Sequence, residues 1–245
     1  ITGWGKYLPR VVLTNDDMAQ IVDTSDEWIV EHTGIRRRHI ATGDETVVSM
    51  ALEAAQEALA TAGRSPDDLD LIIVSTSSPD RQLPGAAPIL QARLGASNSA
   101  AFDMRSGCAG FIYALSIARQ FIVGGNYRCV LVVGAEVVSR NLDWSDRRTC
   151  VLFGDGAGAA VVSAGAANAS DALLAFEMAT YGEHGYLLHV PAGGSRCPLD
   201  QQALDAHDNC LHMNGPEVLK LAVRGIPDVA KKVTAKAGLT FDDID

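Results

Sequence analysis

Ala62-Gly63-Arg64-Ser65-Pro66-Asp67-Asp68-Leu69-Asp70 recurs near the other end of the sequence as Ala237-Gly238-Leu239-Thr240-Phe241-Asp242-Asp243-Ile244-Asp245, with five of the nine positions identical. Each copy follows an Ala-rich helix, and Gly63 in the first sits where a left-handed helix cap belongs. The first copy leads into Leu71-Ile72-Ile73-Val74, a short apolar run that reads as a buried strand. A helix and a turn motif recurring at long range, with a strand after the first copy, predict a duplicated α/β fold. The second copy ends at Asp245 before any strand, so the second half is expected to be cut short in this sequence. The halves are placed at residues 1–165 and 166–245, with the small, polar stretch Ala164–Ser170 as linker.

The flanking segments support an alternating architecture. Ile1–Leu8 reads as a strand closed by Pro9. Thr24-Ser25-Asp26-Glu27 has the form of a capping box with Thr24 as N-cap, opening a short helix through Trp28 that Gly34 stops. Glu45–Ala62 carries Val48, Ala51, Leu52, Ala55, Ala58, Leu59 and Ala62 at helical spacing. Then come a helix at Ala86–Leu94, a strand at Ala100–Met104, a helix at Cys108–Gly124 and a strand at Cys129–Gly134. Such alternation predicts a parallel sheet covered on both faces. Cys150–Phe153 and Ala157–Ser163 read as two strands around the turn Gly154-Asp155-Gly156. The strand after those glycines argues against a dinucleotide site, which needs a helix immediately behind its glycine motif.

Composition narrows the class. The chain has 245 residues, 47% hydrophobic and 20% charged, with a mean hydropathy of +0.09, which suits a globular domain rather than a disordered or fibrous one. A net charge of −10 argues against a nucleic-acid partner. No apolar run approaches the roughly 18 residues of a membrane span. The cysteines at 108, 129, 150, 197 and 210 form no CxxC pair, so zinc and dithiol redox sites are not indicated, and thiols in a reducing cytoplasm are expected. The six histidines fall in no metal-ligand spacing, and His207 and His212 read as loop residues. The sequence opens on Ile1 rather than Met, so N-terminal residues are expected to precede it.

Cys108 stands apart from the other thiols. Ser106-Gly107-Cys108-Ala109-Gly110-Phe111 lies between a strand and a long apolar helix, with small neighbours that permit a tight turn and close approach of a substrate. Unpaired N–H groups and positive potential at a helix start lower a thiol pKa and stabilise an oxyanion. On this pattern Cys108 is either a nucleophile or a small buried hydrophobe. Trp28, on a charged helix, either stacks a flat ring or packs the helix. Arg147-Arg148 either holds phosphate or base, or is a solvated charge run.

Taken together, the residues resemble the β-ketoacyl-[acyl-carrier-protein] synthase III family. The resemblance spans about Thr2 to Asp245 and rests on Asp23-Thr24-Ser25-Asp26-Glu27-Trp28-Ile29, Thr33-Gly34-Ile35-Arg36, Cys108-Ala109-Gly110-Phe111, Phe153-Gly154-Asp155-Gly156-Ala157-Gly158-Ala159 and Glu217-Val218-Leu219-Lys220. It implies a thiolase-like fold of two similar βαβ-rich halves in an α/β/α/β/α layering. It also implies an acyltransferase that initiates fatty-acid synthesis, with Cys108 taking the acyl group from acyl-CoA and malonyl-acyl-carrier protein supplying the carbon nucleophile on decarboxylation. No cofactor is expected, since acyl-CoA is a substrate. The family's His and Asn, which stabilise the enolate, are expected beyond Asp245.

The same resemblance places Trp28 and Arg147 around the adenine of CoA, adds Thr33, Leu83 and Leu219 to the substrate contacts, and assigns Lys220 to carrier-protein docking. A cytoplasmic homodimer is implied as well. Leu83 stands where well-known bacterial members carry a Phe that crosses the dimer interface. Leu219, Pro216 and His32 replace a common Phe, Asn and Arg. Smaller walls would admit a longer or branched acyl group. Two other readings stay open. One is a thiolase-fold relative of secondary metabolism that loads a starter unit, forms an ester or runs another Claisen condensation. The other is a non-catalytic acyl- or CoA-binding remnant.

Overall fold

The structure is a computed structural model and describes residues 1–165 and 173–244. Its elements begin with β1 (Gly3–Tyr7), β2 (Val11–Thr14), α1 (Asn15–Ala19), α2 (Asp26–Thr33), β3 (Arg37–Ile40) and α3 (Val47–Ala62). The middle of the chain adds β4 (Leu71–Ser75), α4 (Ala86–Leu94), β5 (Ala100–Met104), α5 (Gly110–Val123) and β6 (Cys129–Glu136). The remainder is α6 (Arg147–Cys150), β7 (Gly156–Ser163), β8 (Leu188–His189), α7 (Gln201–Asp205), β9 (His212–Met213) and α8 (Gly215–Lys236). Part of the expected linker, residues 166–170, lies outside the described residues. No helix among them is long and apolar enough to cross a membrane.

Two compact units form. The first comprises Ile1–Leu13, Arg37–Ser139 and Gly154–Leu173. Its centre is a five-stranded sheet in the order β1-β7-β6-β4-β5. The expectation of a parallel sheet is half met: β4 runs parallel to β5 and β6, while β7 is antiparallel to both β6 and β1. Alternate residues divide the faces. Ile72, Val74, Leu131, Val133, Ala135, Ala159 and Val161 pack with α3 and α4 in one core, while Ser75 and Gly134 turn to the opposite face, towards α5. β1 lies unusually close to α3, because Gly3 and Gly5 present no side chain there. A Cβ on Gly5 would sit 2.3 Å from the Ala54 carbonyl oxygen.

Local signals set the ends of α3. Thr46 caps its N-terminus in a reciprocal box with Ser49, and Gly63 at φ 62° closes it in the left-handed region. The predicted strand at Cys150–Phe153 does not form. Asp146 instead caps the short helix α6 at Arg147–Cys150, and only β7 follows the glycine turn, pairing with β6 and β1 rather than with a hairpin partner. A four-residue apolar run carries no periodicity that separates strand from helix, so the cap decides.

The second unit comprises Thr14–Arg36, Arg140–Phe153 and Leu174–Asp245. It holds α1, α2, α6, α7, the small β8–β9 ribbon and the 22-residue α8. At α2 the expected cap moves by one residue: Ser25, not Thr24, accepts the Trp28 N–H, at 3.2 Å. Gly34 ends the helix at φ 73°, as expected. Beyond α8 the described part of the repeated sequence motif, through Ile244, makes the same cap bonds as its first copy. Thr240 bonds Asp243 through its N–H (2.8 Å) and hydroxyl (2.7 Å), as Ser65 bonds Asp68 (2.8 and 3.0 Å), and Gly238 and Gly63 are both left-handed.

Candidate active site

Cys108 belongs to the first unit. β5 ends at Met104, and the chain then enters a 3-10 turn, Gly107–Ala109, with Cys108 at its middle. Gly107 takes φ 53°, a conformation that costs glycine nothing and other residues a good deal. The α-helix starts at Gly110, two residues later than expected, so the thiol stands ahead of α5 rather than inside its first turn. No side chain caps α5. The Gly110 N–H bonds the Gly107 carbonyl of the 3-10 turn, and the dipole of α5 adds positive potential at the end nearest Cys108 in the chain. The Cys108 side chain is exposed, which removes the small-buried-hydrophobe reading. Cys150 behaves in the opposite way at 0% exposure, and burial raises the thiol pKa of both Cys129 and Cys210.

Trp28 and Arg147 lie in the second unit and meet there. The Arg147 guanidinium stands 4.6 Å over the Trp28 ring, and its Nη1 donates to the Asp23 carbonyl at 2.7 Å. Arg148 points elsewhere: it is bound to Asp146 through Nε (2.9 Å) and Nη2 (3.0 Å), and that pairing holds the Asp146 carboxyl below its usual range. His32 stacks on the same indole with ring centroids 4.4 Å apart, and its Nδ1 donates to the Trp28 carbonyl at 2.8 Å. Asp143, ahead of α6, accepts from the Ser145 hydroxyl at 2.6 Å and from His207 Nδ1 at 2.8 Å. Ser145, and after it His207, lower the Asp143 pKa. His207 is thus a loop residue, as read, with a specific partner; His212 falls in β9.

The other predicted site residues are more dispersed. The Thr33 hydroxyl donates to the Ile29 carbonyl (2.6 Å) and accepts from the Ile35 N–H (3.0 Å), so it is engaged in closing α2. Lys220 pairs with Glu217 at 2.6 Å one turn away on α8. Leu219 is 64% exposed, on a stripe with Val223 and Ile226. Leu83, in the first unit with Cys108, is 85% exposed ahead of α4. Among the described residues no three of His, Cys, Asp and Glu gather as a metal-binding group.

Two carboxylates escaped the sequence reading. Asp155, buried in the glycine turn, accepts from the Ala41 N–H (2.7 Å), the Ser139 N–H (2.9 Å) and the Ser139 hydroxyl (2.5 Å). The lone acid between glycines was its only signal. Glu136, at the end of β6, gathers the turn after β4, and no local pattern marks it.

Comparison with known proteins gives consistent results. The family profile for 3-oxoacyl-[acyl-carrier-protein (ACP)] synthase III matches residues 102–182, which include Cys108 and the glycine turn. The β-ketoacyl-[acyl-carrier-protein] synthase III of Caldanaerobacter subterraneus subsp. tengcongensis is 48% identical over 245 residues, covering 100% of this chain and 73% of the relative. Among solved structures, the 3-oxoacyl-[acyl-carrier-protein] synthase III of Aquifex aeolicus VF5 superposes with a TM-score of 0.87 at 45% identity, over 100% of this chain and 73% of that one. The priming β-ketosynthase of the R1128 polyketide pathway gives 0.88 at 35% identity, over 99% and 71%. Fold and likeness together define a thiolase-fold enzyme of the condensing, acyl-transferring class. Within that class, the chain belongs to the β-ketoacyl-[acyl-carrier-protein] synthase III family.

Proposed function

We propose that Cys108 carries the family's chemistry in this chain. Its Sγ, as thiolate, attacks the carbonyl of an acyl-CoA. The tetrahedral oxyanion is met by N–H groups at the start of α5, and CoA leaves as its thiolate. The new thioester is nearly isoenergetic with the old, so the acyl group is stored at little cost. Malonyl-acyl-carrier protein then loses CO2, and the electron pair freed on the α-carbon attacks the acyl-enzyme carbonyl. Sγ departs as thiolate and β-ketoacyl-carrier protein is released. That condensation is the reaction by which the family initiates fatty-acid synthesis. One observation carries the reading: an exposed thiol on a strand-to-helix turn, with a left-handed glycine before it and an uncapped helix after it.

The remaining assignments belong to the same proposal. The Trp28–Arg147 pair takes the adenine of CoA, with Thr33, Leu83 and Leu219 along the substrate path. Lys220 docks the carrier protein, a local positive charge on an acidic chain. The halves run over 1–165 and 166–245, and the enzyme works as a cytoplasmic homodimer without a resident cofactor. The exposed Leu83 supports the dimer, and the free thiols suit a reducing compartment.

Mass spectrometry of the intact protein after incubation with a panel of acyl-CoAs tests the nucleophile. One acyl adduct is expected, retained in Cys150→Ala and lost in Cys108→Ala; equal labelling of both variants rules the assignment out. Discharge of the adduct by malonyl-acyl-carrier protein, with formation of a β-ketoacyl product, marks the fatty-acid reaction. Discharge by a different acceptor marks a secondary-metabolic relative, and an adduct that never discharges marks a binding remnant.

A further inference from the structure

The C-terminal ends of the parallel strands carry a polar cluster that the steps above leave unused. Ser75 closes β4, in register with Met104 of β5 on one side and Gly134 of β6 on the other. Its hydroxyl lies directly against the first residue of α5: a Cβ on Gly110 would fall 1.9 Å from Ser75 Oγ. The next residue, Phe111, covers Gly134, where a Cβ would meet the ring at 3.3 Å. The first turn of α5 is therefore seated on the ends of β4 and β6, two residues downstream of Cys108.

Past Ser75 the sheet ladder between β4 and β6 stops, and side-chain bonds take over. Glu136, the last residue of β6, accepts from the Ser77 N–H at 2.7 Å, the Ser78 hydroxyl at 2.5 Å and the Thr76 hydroxyl at 3.5 Å. Ser78 Oγ in turn accepts from the Val137 N–H at 2.8 Å, and Thr76 Oγ1 accepts from the Ser78 N–H at 3.2 Å. On the far side the Thr76 N–H reaches the Met104 carbonyl of β5 at 3.2 Å. One carboxylate thus ties together the ends of the strands that support the nucleophile turn.

We propose that Glu136 is a positioning residue for Cys108. By holding the Thr76–Ser78 turn it fixes Ser75, and Ser75 fixes the height at which Gly110, and with it the thiol, stands above the sheet. Glu136 needs no contact with the reacting atoms to do this. Removing it leaves three donors without their acceptor, frees Ser78 to rotate, and lets the seat relax. Reaction at a thiol is sensitive to such displacement, since a misplacement of about 1 Å can cost roughly a hundredfold in rate. The proposal rests on Cys108 being the acyl-accepting thiol, and its test is arranged so that the two fail differently.

Glu136→Ala, Glu136→Gln and Ser78→Ala are made in the full-length protein, and rates are counted per titrated Cys108 thiol. Glu136→Ala is expected to slow Cys108 acylation about tenfold at saturating acyl-CoA, with KM changed less than about twofold. Gln keeps one acceptor oxygen and restores part of the rate, and Ser78→Ala shows the same defect in weaker form. A merely structural role would lower the folded fraction and leave the rate per titrated thiol unchanged. Iodoacetamide alkylation of Cys108 serves as a second reading that needs no acyl transfer, and Glu136→Ala is expected to change it severalfold. Acylation and alkylation at wild-type rates in Glu136→Ala overturn the proposal. A wild-type Cys108 that takes no acyl group overturns the nucleophile reading instead, while the alkylation rates still decide the role of Glu136.

Discussion

Arg147 and Trp28 are already in contact, and that contact bears on the proposed CoA site. A planar base held between them needs two stacking contacts of about 3.5 Å each, or roughly 7 Å from guanidinium to indole. The observed separation is 4.6 Å, so one partner has to lift. Among the described residues Arg147 has one hydrogen bond, to the Asp23 carbonyl, so lifting Arg147 would break one bond and the stack itself. Trp28→Ala and Arg147→Ala are each expected to weaken CoA binding by about 1 kcal/mol, roughly fivefold or more in Kd by titration calorimetry. In a Trp4→Phe, Trp144→Phe background the remaining indole should change its emission when CoA parts the pair. Unchanged affinity in both Ala variants would remove the nucleotide from this stack.

At the scale of elements, Glu45 shows how much one buried acid can organise. Ahead of α3 it accepts from the Tyr7 hydroxyl (2.9 Å), the Arg10 N–H (3.0 Å) and the Thr42 N–H (3.0 Å), so β1, the following loop and the approach to α3 share one acceptor. Above all the Thr42 N–H, then Arg10 and Tyr7, hold its carboxyl down to about 2 from 4.5 against the effect of burial. A carboxyl depressed on folding contributes stability that is complete above the unfolded value and is lost as the pH falls through the folded one. Acid unfolding should therefore draw on Glu45 between about pH 4.5 and 2. Glu45→Gln is expected to cost about 2 kcal/mol at neutral pH, because an amide donor then faces donors, and to flatten the melting profile across that acid window.

Features of this kind also mark what the sequence could tell. The left-handed ends at Gly34 and Gly63 and the spans of α4 and β5 were legible because each is decided within a few residues, whereas the Thr46 cap of α3 fell inside the helix expected from Glu45. Cys108 was legible for the same reason, as a small-residue turn between a strand and a helix. Cys150–Phe153 misled because four apolar residues carry no period, and Thr24 misled because Ser25 beside it caps equally well. The antiparallel placing of β7 and the seat made by Ser75 and Glu136 were out of reach. They join residues far apart in the chain, and only the assembled sheet brings those together.

For the whole molecule, β1 is the segment with the most distant partner. Among the described residues its only neighbour in the sheet is β7, with Gly3 opposite Val161 and Tyr7 opposite Ala157, and its inner face is the bare backbone of Gly3 and Gly5 against α3. Gly5→Ala forces a methyl group to within 2.3 Å of the Ala54 carbonyl oxygen, so strand and helix must move apart. The expected loss is about 1–3 kcal/mol by denaturant titration. An unchanged midpoint would mean that β1 docks more loosely than its glycines indicate.

The same long pairing dictates an order of events during synthesis. Within this sheet β1 is made first, yet it cannot pair until β7 has been made. At translation speeds of 5–20 residues per second that wait is roughly 8–30 s. Once α3 has been made, the surface that β1 covers still lacks the β1–β7 pairing that holds the strand there, so the first strand of this sheet to be synthesised is among the last to be fixed in it.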